Sequence, residues 1–268
     1  MATNRKPRAS KSTQVTKWDE ALAARAQIAK KAEESVSLGN FISLKSGVMS
    51  YNGNAIPGNK LDVIVIDSIL ENLYFGGAYD PNTPQSPICY AFGRAEDDMA
   101  PHEKVAEPFS EQCSDCQYNE WGSADTGRGK ACRNVRRLAV IPADTLDDAQ
   151  SITDAAVAYL KVPVTSVKAW AEYVNKLSAV NKPPLAFVTE ISVIPDAGTQ
   201  FKVSFNAVEA IEDGALIGAL LAKADIVEQS IAFPYQPAEE TTPPPAKPAT
   251  RRKPEAKAAA AKPARRKF

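Results

Sequence analysis

The 268-residue sequence predicts an α+β fold with a mainly β core. Apolar, β-branched runs separated by turn residues are typical of strands. Such runs cover residues 61–69, 138–141, 185–194 and 201–208. Apolar residues at helical spacing predict a few helices around these strands. Because strands and helices do not alternate regularly, the pattern excludes a βαβ array and favours a sheet with peripheral helices.

The first predicted element is a helix over residues 17–36. This stretch is rich in alanine, and Trp18, Leu22 and Ala26 recur at helical spacing. We expect the helix to end near Gly39, because glycine commonly follows the last helical turn.

The next element is a buried strand over residues 61–69, which read LDVIVIDSI after a turn at Pro57. Residues 138–141 predict a second strand. The runs 185–194 and 201–208 are joined by PDAGTQ, a turn sequence that predicts an antiparallel hairpin.

Two further helices are predicted in the second half. Thr165 or Ser166 is placed to cap a helix whose apolar residues, including Trp170, recur every three or four positions and indicate a face packed on the core. Residues 212–230 also have helical spacing, although two glycines weaken this pattern. No apolar run approaches the roughly 20 residues of a membrane span, so no membrane association is expected.

The net charge of zero hides an uneven distribution. Residues 1–17 carry five basic and no acidic side chains, and residues 236–268 carry nine basic and three acidic ones. The remaining 18 basic and 29 acidic residues give the middle a net charge near −11. We predict disordered basic arms over residues 1–16 and 236–268, because such compositions cannot offset the entropy of ordering. Basic arms are typical of proteins that contact polyanions, although a solubilising tail is the alternative.

Four cysteines predict a structural zinc site. Cys113 and Cys116 form a CxxC turn, Cys132 follows it and Cys89 precedes it. Four thiolates suit tetrahedral zinc, and a CxxC turn supplies two of them. Buried free thiols and a disulfide are the alternatives. A disulfide requires an oxidising compartment, and the N-terminal stretch lacks the apolar region of a secretion signal. His102, the single histidine, could replace Cys89 as a ligand.

A local basic cluster follows the CxxC turn in an otherwise acidic body. Basic residues next to aromatic ones suit single-stranded nucleic acid, whose phosphates contact cations while its bases stack on rings. The alternative is that the aromatic residues pack over the metal turn as a small core. On a strand, adjacent Arg136 and Arg137 point to opposite faces, so the whole cluster cannot share one surface. The predicted contacts are Tyr118, Trp121, Arg128, Lys130, Arg133, Arg136 and Arg137.

The sequence gives little support for catalysis. With one histidine, a Ser/His/Asp or Cys/His arrangement is not expected. The segment GRGK lacks the spacing of a phosphate-binding loop. A nuclease using the strand carboxylates Asp62, Asp67 and Glu190 is the remaining enzymatic alternative. We therefore predict that the protein is not an enzyme.

Several motifs together resemble a group of tailed-phage proteins. These motifs are ISLKSGVMSYNG, CYAFG, CxxCxxNxWGS followed by GKAC, PVTSVKAWAEYVNKL and FVTEIS, and they lie between residues 41 and 211. The arrangement is similar to phage single-stranded DNA-binding proteins, in which an OB-fold-like barrel carries a zinc subdomain. The basic tail departs from the acidic tail that many replicative single-strand binders have.

This resemblance implies an OB-like nucleic-acid-binding domain over residues 17–235, with a zinc subdomain at about residues 86–137. It implies that Cys89, Cys113, Cys116 and Cys132 bind structural Zn²⁺. The implied function is non-catalytic binding of single-stranded DNA in bacteriophage replication or recombination, in the cytoplasm of an infected bacterium. Phage replication proteins would be its partners. The alternative is a zinc-stabilised protein-interaction factor that modulates transcription or replication.

Overall fold

The computed structural model describes residues 40–76, 86–125 and 128–235, together with Leu22 and Arg25. The fold is α+β and mainly β, as predicted, with a single strongly curled sheet that forms a half-barrel. The predicted arms over residues 1–16 and 236–268 lie outside the described residues. Of the predicted helix over residues 17–36, Leu22 and Arg25 are described; both are helical and exposed.

The described residues contain nine strands in one sheet. The sheet order is β3-β2-β1-β7-β6-β4-β8-β9, and β5 pairs with β4 beside this path. The strands are β1 (Phe41–Ser43), β2 (Ser50–Tyr51), β3 (Asn54–Ala55), β4 (Lys60–Tyr74), β5 (Cys89–Gly93), β6 (Arg133–Pro142), β7 (Ala158–Val162), β8 (Phe187–Asp196) and β9 (Gln200–Ala210).

Strand β4 organises the sheet. Its 15 residues pair with β6 along one edge, while the other edge pairs first with β8 and then with β5. The predicted strand at residues 61–69 is confirmed as part of β4, and those at 138–141 and 201–208 lie within β6 and β9. The predicted strand at 185–194 overlaps β8, which begins two residues later because a 3-10 turn (Pro184–Ala186) precedes it. Strands β8 and β9 form the predicted antiparallel hairpin. A bulge between Val65 and Asp67 interrupts the β4–β6 register, and bulges increase local twist.

Both faces of the central sheet are buried. Val63 and Val65 point to one face, where helix α2 (Val167–Ser178) packs through Trp170. Ile64 points to the opposite face, which is covered by α1 (Ala149–Asp154) and α3 (Gly214–Ser230). Burial on both sides explains why β4 reads as a continuous apolar run instead of an alternating pattern.

Helices α2 and α3 agree with two of the predicted helices, whereas α1 was not predicted, and one cap differs from the prediction. Asp213 caps α3 by accepting hydrogen bonds from the amides of Ala215 and Leu216. Ser166 precedes α2 without a capping hydrogen bond, because its hydroxyl instead accepts from the Val203 amide of β9 at 2.9 Å. No helix in the described residues is both long enough and apolar enough to cross a bilayer.

Candidate metal centre and nucleic-acid interface

The end of β4 brings two of the cysteines together. Tyr74, the last residue of β4, pairs with Cys89 on β5. On the other edge, Leu73 pairs with Arg133, so Cys132 lies immediately beside the same end of β4. Residues far apart in sequence therefore meet because β5 and β6 flank a single strand.

A set of hydrogen bonds places the CxxC turn next to these two residues. The Cys113 amide donates to the Met99 carbonyl at 2.8 Å, and the Asn119 amide donates to the Cys116 carbonyl at 2.8 Å. The Asn119 side chain donates to the Cys113 carbonyl at 2.7 Å. The Cys132 amide donates to the Tyr118 carbonyl at 2.7 Å, which closes the loop onto β6.

All four cysteines border one small cavity of about 20 Å³. This volume is about that of one water-sized sphere. The four thiols are free of disulfides. Within the described residues, no group of three or more histidine, cysteine, aspartate or glutamate side chains is arranged as a metal site. The chemistry of the donor set, four cysteines around one cavity, fits zinc.

Burial and mutual proximity raise the pKa values of three of these thiols, Cys89, Cys113 and Cys132. Burial is the main cause that raises the pKa of Cys132 to about 12, and the neighbouring thiols Cys113 and Cys116 contribute to this rise. Burial is also the main cause of the raised pKa values of Cys89 and Cys113. Without a cation, these thiols are therefore protonated at neutral pH.

His102 lies away from the cysteine cavity. Its Nδ1 accepts a hydrogen bond from the Lys104 amide at 3.1 Å, and its ring stacks on Tyr90 with the centroids 5.1 Å apart. The cavity is bordered by Cys89 and not by His102. The placement of the side chains thus favours Cys89 over His102 as the fourth ligand.

The segment between Cys116 and Cys132, called the cysteine loop below, carries two aromatic residues. These two residues have different environments. Tyr118 stacks on Tyr74, with ring centroids 4.1 Å apart, and meets Phe109 edge to face at 4.8 Å. It therefore belongs to a small aromatic core above the cavity, as the alternative interpretation predicts. Trp121 is 81% exposed and lies outside this core. Its ring is thus available for a partner.

The loop holds basic side chains near Trp121. The Gly122 amide donates to the Gly129 carbonyl at 2.8 Å, which brings the chain segments that carry Trp121 and Arg128 next to each other. Arg128 is exposed. Lys130 donates to the Asn119 Oδ1 atom at 3.2 Å, so its ammonium group is anchored beside the CxxC turn.

The three arginines on β6 are divided between the two faces of the strand. Arg133 is exposed, and its guanidinium lies 5.1 Å from the centre of the Phe75 ring. Arg136 points to the opposite face and pairs with Glu96 at 3.6 Å. Because successive side chains of a strand point to opposite faces, Arg136 lies on one face of β6 and Arg133 and Arg137 lie on the other. The sequence predicted this separation for Arg136 and Arg137.

Arg137 is fully buried, so its predicted role as a surface contact with nucleic acid is wrong. Its guanidinium donates to Glu71 at 2.5 Å and to the carbonyls of Ile231 and Phe233 at 2.9 and 3.1 Å. The ring centres of Phe92 and Phe233 lie 4.4 and 4.2 Å from it. Arg137 therefore fastens the segment after α3 to the sheet.

The buried ion pair extends into a polar network. The Tyr235 hydroxyl donates to Glu71, and Lys161 donates to the Tyr235 oxygen. Burial, together with the Glu71 charge, raises the pKa of Tyr235. Burial lowers the pKa of Lys161. Sequence patterns gave no signal for this network because its members lie on β4, β6, β7 and the segment after α3.

The three carboxylates of the nuclease alternative are not gathered in one place. Asp67 forms two hydrogen bonds with Arg94, at 2.9 and 2.7 Å. Asp62 lies opposite Glu190 across the β4–β8 pair, and Glu190 is bound by Lys60 at 3.1 Å. These contacts explain Asp67 and Glu190 as members of ion pairs, and Asp62 is an exposed strand residue.

Comparison of the chain with protein-family models, with curated proteins and with solved structures found no match. The resemblance to phage single-stranded DNA-binding proteins therefore stays a prediction from the sequence motifs.

Proposed function

We propose that this protein binds single-stranded DNA without catalysing a reaction, and that it acts in bacteriophage DNA replication or recombination. The observation that carries the proposal is the exposed Trp121 on a loop that also bears Arg128 and Lys130. An exposed ring beside cations suits an unstacked base and its phosphate, and such stacking contributes about 1–3 kcal/mol per base. The site of action would be the cytoplasm of the infected bacterium, with other phage replication proteins as partners.

The curled sheet supports the finer proposal of an OB-like barrel. OB-folds are small, partly open barrels that bind oligonucleotides through one face and adjoining loops. Here the cysteine loop lies at the end of β4, next to β5 and β6. In this proposal Arg133, above Phe75, extends the DNA path from the loop onto β6.

We propose that Cys89, Cys113, Cys116 and Cys132 bind one structural zinc ion. The support is that residues from β5, the CxxC turn and the start of β6 border a single cavity. A bound zinc ion would supply folding energy to the loop that follows the CxxC turn. The chemistry that it supplies is structural cross-linking, which would hold Trp121 and Arg128 in place.

Fluorescence-anisotropy titrations with labelled oligothymidine test the DNA-binding proposal. Trp121→Ala should weaken binding about 5- to 150-fold, the equivalent of 1–3 kcal/mol. Ile194→Ala, which truncates an exposed apolar residue on β8, is the control and should leave affinity unchanged. Equal affinities for wild type and Trp121→Ala would contradict the proposed stacking role.

The salt dependence of the same titration tests the basic residues. Arg128→Ala and Arg133→Ala should each weaken binding and reduce the slope of log affinity against log salt by about 0.7. Lys168→Ala removes an 89% exposed lysine from α2 and serves as the matched control. A chain that ends at Gln236 separates the contribution of the basic tail. Binding that disappears with the tail, or that is equal for duplex and single strand, would indicate nonspecific charge attraction.

The second candidate is a zinc-stabilised protein-interaction factor that modulates transcription or replication. It is favoured by the apolar groups exposed near the cavity, since Ile88 and Phe109 are 51% and 41% exposed in addition to Trp121. Exposed apolar patches are typical of protein-binding surfaces. Loss of partner binding in Ile88→Ala and Trp121→Ala, with no measurable DNA affinity in wild type, would identify this function.

A further inference from the structure

Helix α3 has an apolar surface that nothing in the described structure covers. Its residues Leu220 and Val227 are buried against the sheet. On the outer side, Leu221 and Ile226 are 53% and 68% exposed. These two aliphatic side chains lie on the same exposed side as the charged residues Asp225 and Glu228. Exposed aliphatic groups next to charged ones are a composition found at protein interfaces.

The centre of this outer side is open enough for another helix to approach closely. Gly218 and Ala222 lie one turn apart, between the larger side chains of Leu221 and Ile226. A Cβ atom placed on Gly218 would meet no other atom within 4 Å. Small residues flanked by large ones form a shallow groove that accepts the side chains of a neighbouring helix.

We propose that residues 17–36 of the same chain bind in this groove as a helix. Leu22 and Arg25, the described residues of this segment, are helical, and Leu22 is 63% exposed. Alanine is abundant in the segment, and small side chains permit the close approach that the groove offers. An alanine-rich helix without tertiary packing is only marginally stable in water, so docking would also stabilise the segment.

Chain connectivity brings the segment to α3. The ring of Phe41 contacts that of Phe233 with centroids 5.6 Å apart, and Phe233 is three residues beyond the end of α3 at Ser230. Residues 37–40 thus connect the segment to a point beside the C-terminal end of α3. Because both helices would end at this corner, the docked segment would run parallel to α3.

This parallel arrangement pairs opposite charges. Lys31 lies five residues before the end of the segment, and Asp225 lies five residues before the end of α3. Asp225 is on the exposed side of the helix, next to Ala222. Docking would therefore bring Lys31 level with Asp225. This inference does not depend on the proposed DNA binding.

Hydrogen–deuterium exchange of the full chain tests the docking. In wild type, amides of residues 18–36 should exchange at least 10-fold more slowly than those of an unstructured peptide. Ala222→Glu places a charge in the groove and should remove about 10-fold of this protection. Ala171→Glu makes the same change on the exposed side of α2 and should preserve it. Amides of β4, read in the same experiment, report whether each variant remains folded.

A charge exchange provides a second test with less risk to the fold. Lys31→Glu should reduce the protection of residues 18–36, and Asp225→Lys in the Lys31→Glu background should restore it. Unprotected amides in wild type, or equal protection in Ala222→Glu and Ala171→Glu, would overturn the proposal. Protection that falls on dilution, together with a dimer mass in sedimentation, would also overturn it, because a second copy would then occupy the groove.

Discussion

Replacing Arg137 with methionine removes a buried cation and leaves Glu71 in place. Both side chains are fully buried, and Glu71 Oε2 already lacks a hydrogen-bond partner among the described groups. The variant would leave the Glu71 charge without its ion-pair partner and would deprive two carbonyls, those of Ile231 and Phe233, of a donor. Removing one partner of a buried ion pair lowers the free energy of unfolding by about 3–5 kcal/mol. This loss is a large fraction of the total stability of a typical domain.

The neighbouring Arg136 offers a matched control. Its partner Glu96 is 76% exposed, and exposed ion pairs contribute about 0–1 kcal/mol. Urea unfolding followed by tryptophan fluorescence should therefore show a much lower midpoint for Arg137→Met than for Arg136→Met. Adding Glu71→Leu to Arg137→Met should recover part of the loss, because the unpaired charge is then removed. Equal stabilities of the two single variants, with weaker DNA binding only in Arg137→Met, would refute the structural role of Arg137.

Three further predictions concern the cysteine loop and the β8–β9 hairpin. Cys116→Ser should abolish zinc binding, measured as metal content per chain, and should lower stability because zinc binding contributes folding free energy. Tyr118→Ala should cost at least about 0.5–1.5 kcal/mol of stability by removing the stack on Tyr74, whereas Trp121→Ala should unfold at the wild-type urea concentration. Hydrogen bonds from Lys202 and Thr199 lower the pKa of Asp196 to about 2. The folded-state pKa is below the unfolded one, so Asp196 stabilises the fold above about pH 4 and this contribution is lost as the pH falls towards 2. Asp196→Asn should lose less stability over that range, and similar acid-unfolding curves for the two proteins would contradict this assignment.

The sequence predicted the parts of the fold that carry long apolar runs. The predicted strands within β4, β6, β8 and β9 are long, and the β8–β9 hairpin is a local structure with a recognisable turn. Strands β1, β2 and β3 were not predicted because each has two or three residues, too few for a periodic pattern. Their pairing with one another and with β7 depends on the tertiary structure.

The arginines of β6 show why basic residues that are close in sequence need not share one exposed surface. Strand alternation was sufficient to predict that Arg136 and Arg137 point to opposite faces. It could not predict which face would be covered, because the cover of Arg137 comes from Ile231 and Phe233, more than 90 positions later in the chain. Likewise, the sequence alone could not decide between core and surface for Tyr118, since its stacking partner is Tyr74.

The proposed metal site and the proposed DNA contact are physically linked through one loop. Trp121 and Arg128 gain their positions from backbone hydrogen bonds within the loop, and the loop is joined to β6 through the hydrogen bond between Cys132 and Tyr118. A side chain that is 81% exposed cannot be fixed by packing of its own. Its orientation therefore depends on the order of the segment that carries it, and ordering this segment costs conformational entropy. A zinc ion joining β5, the CxxC turn and β6 would reduce that cost, so it would stabilise the DNA-binding arrangement without touching DNA.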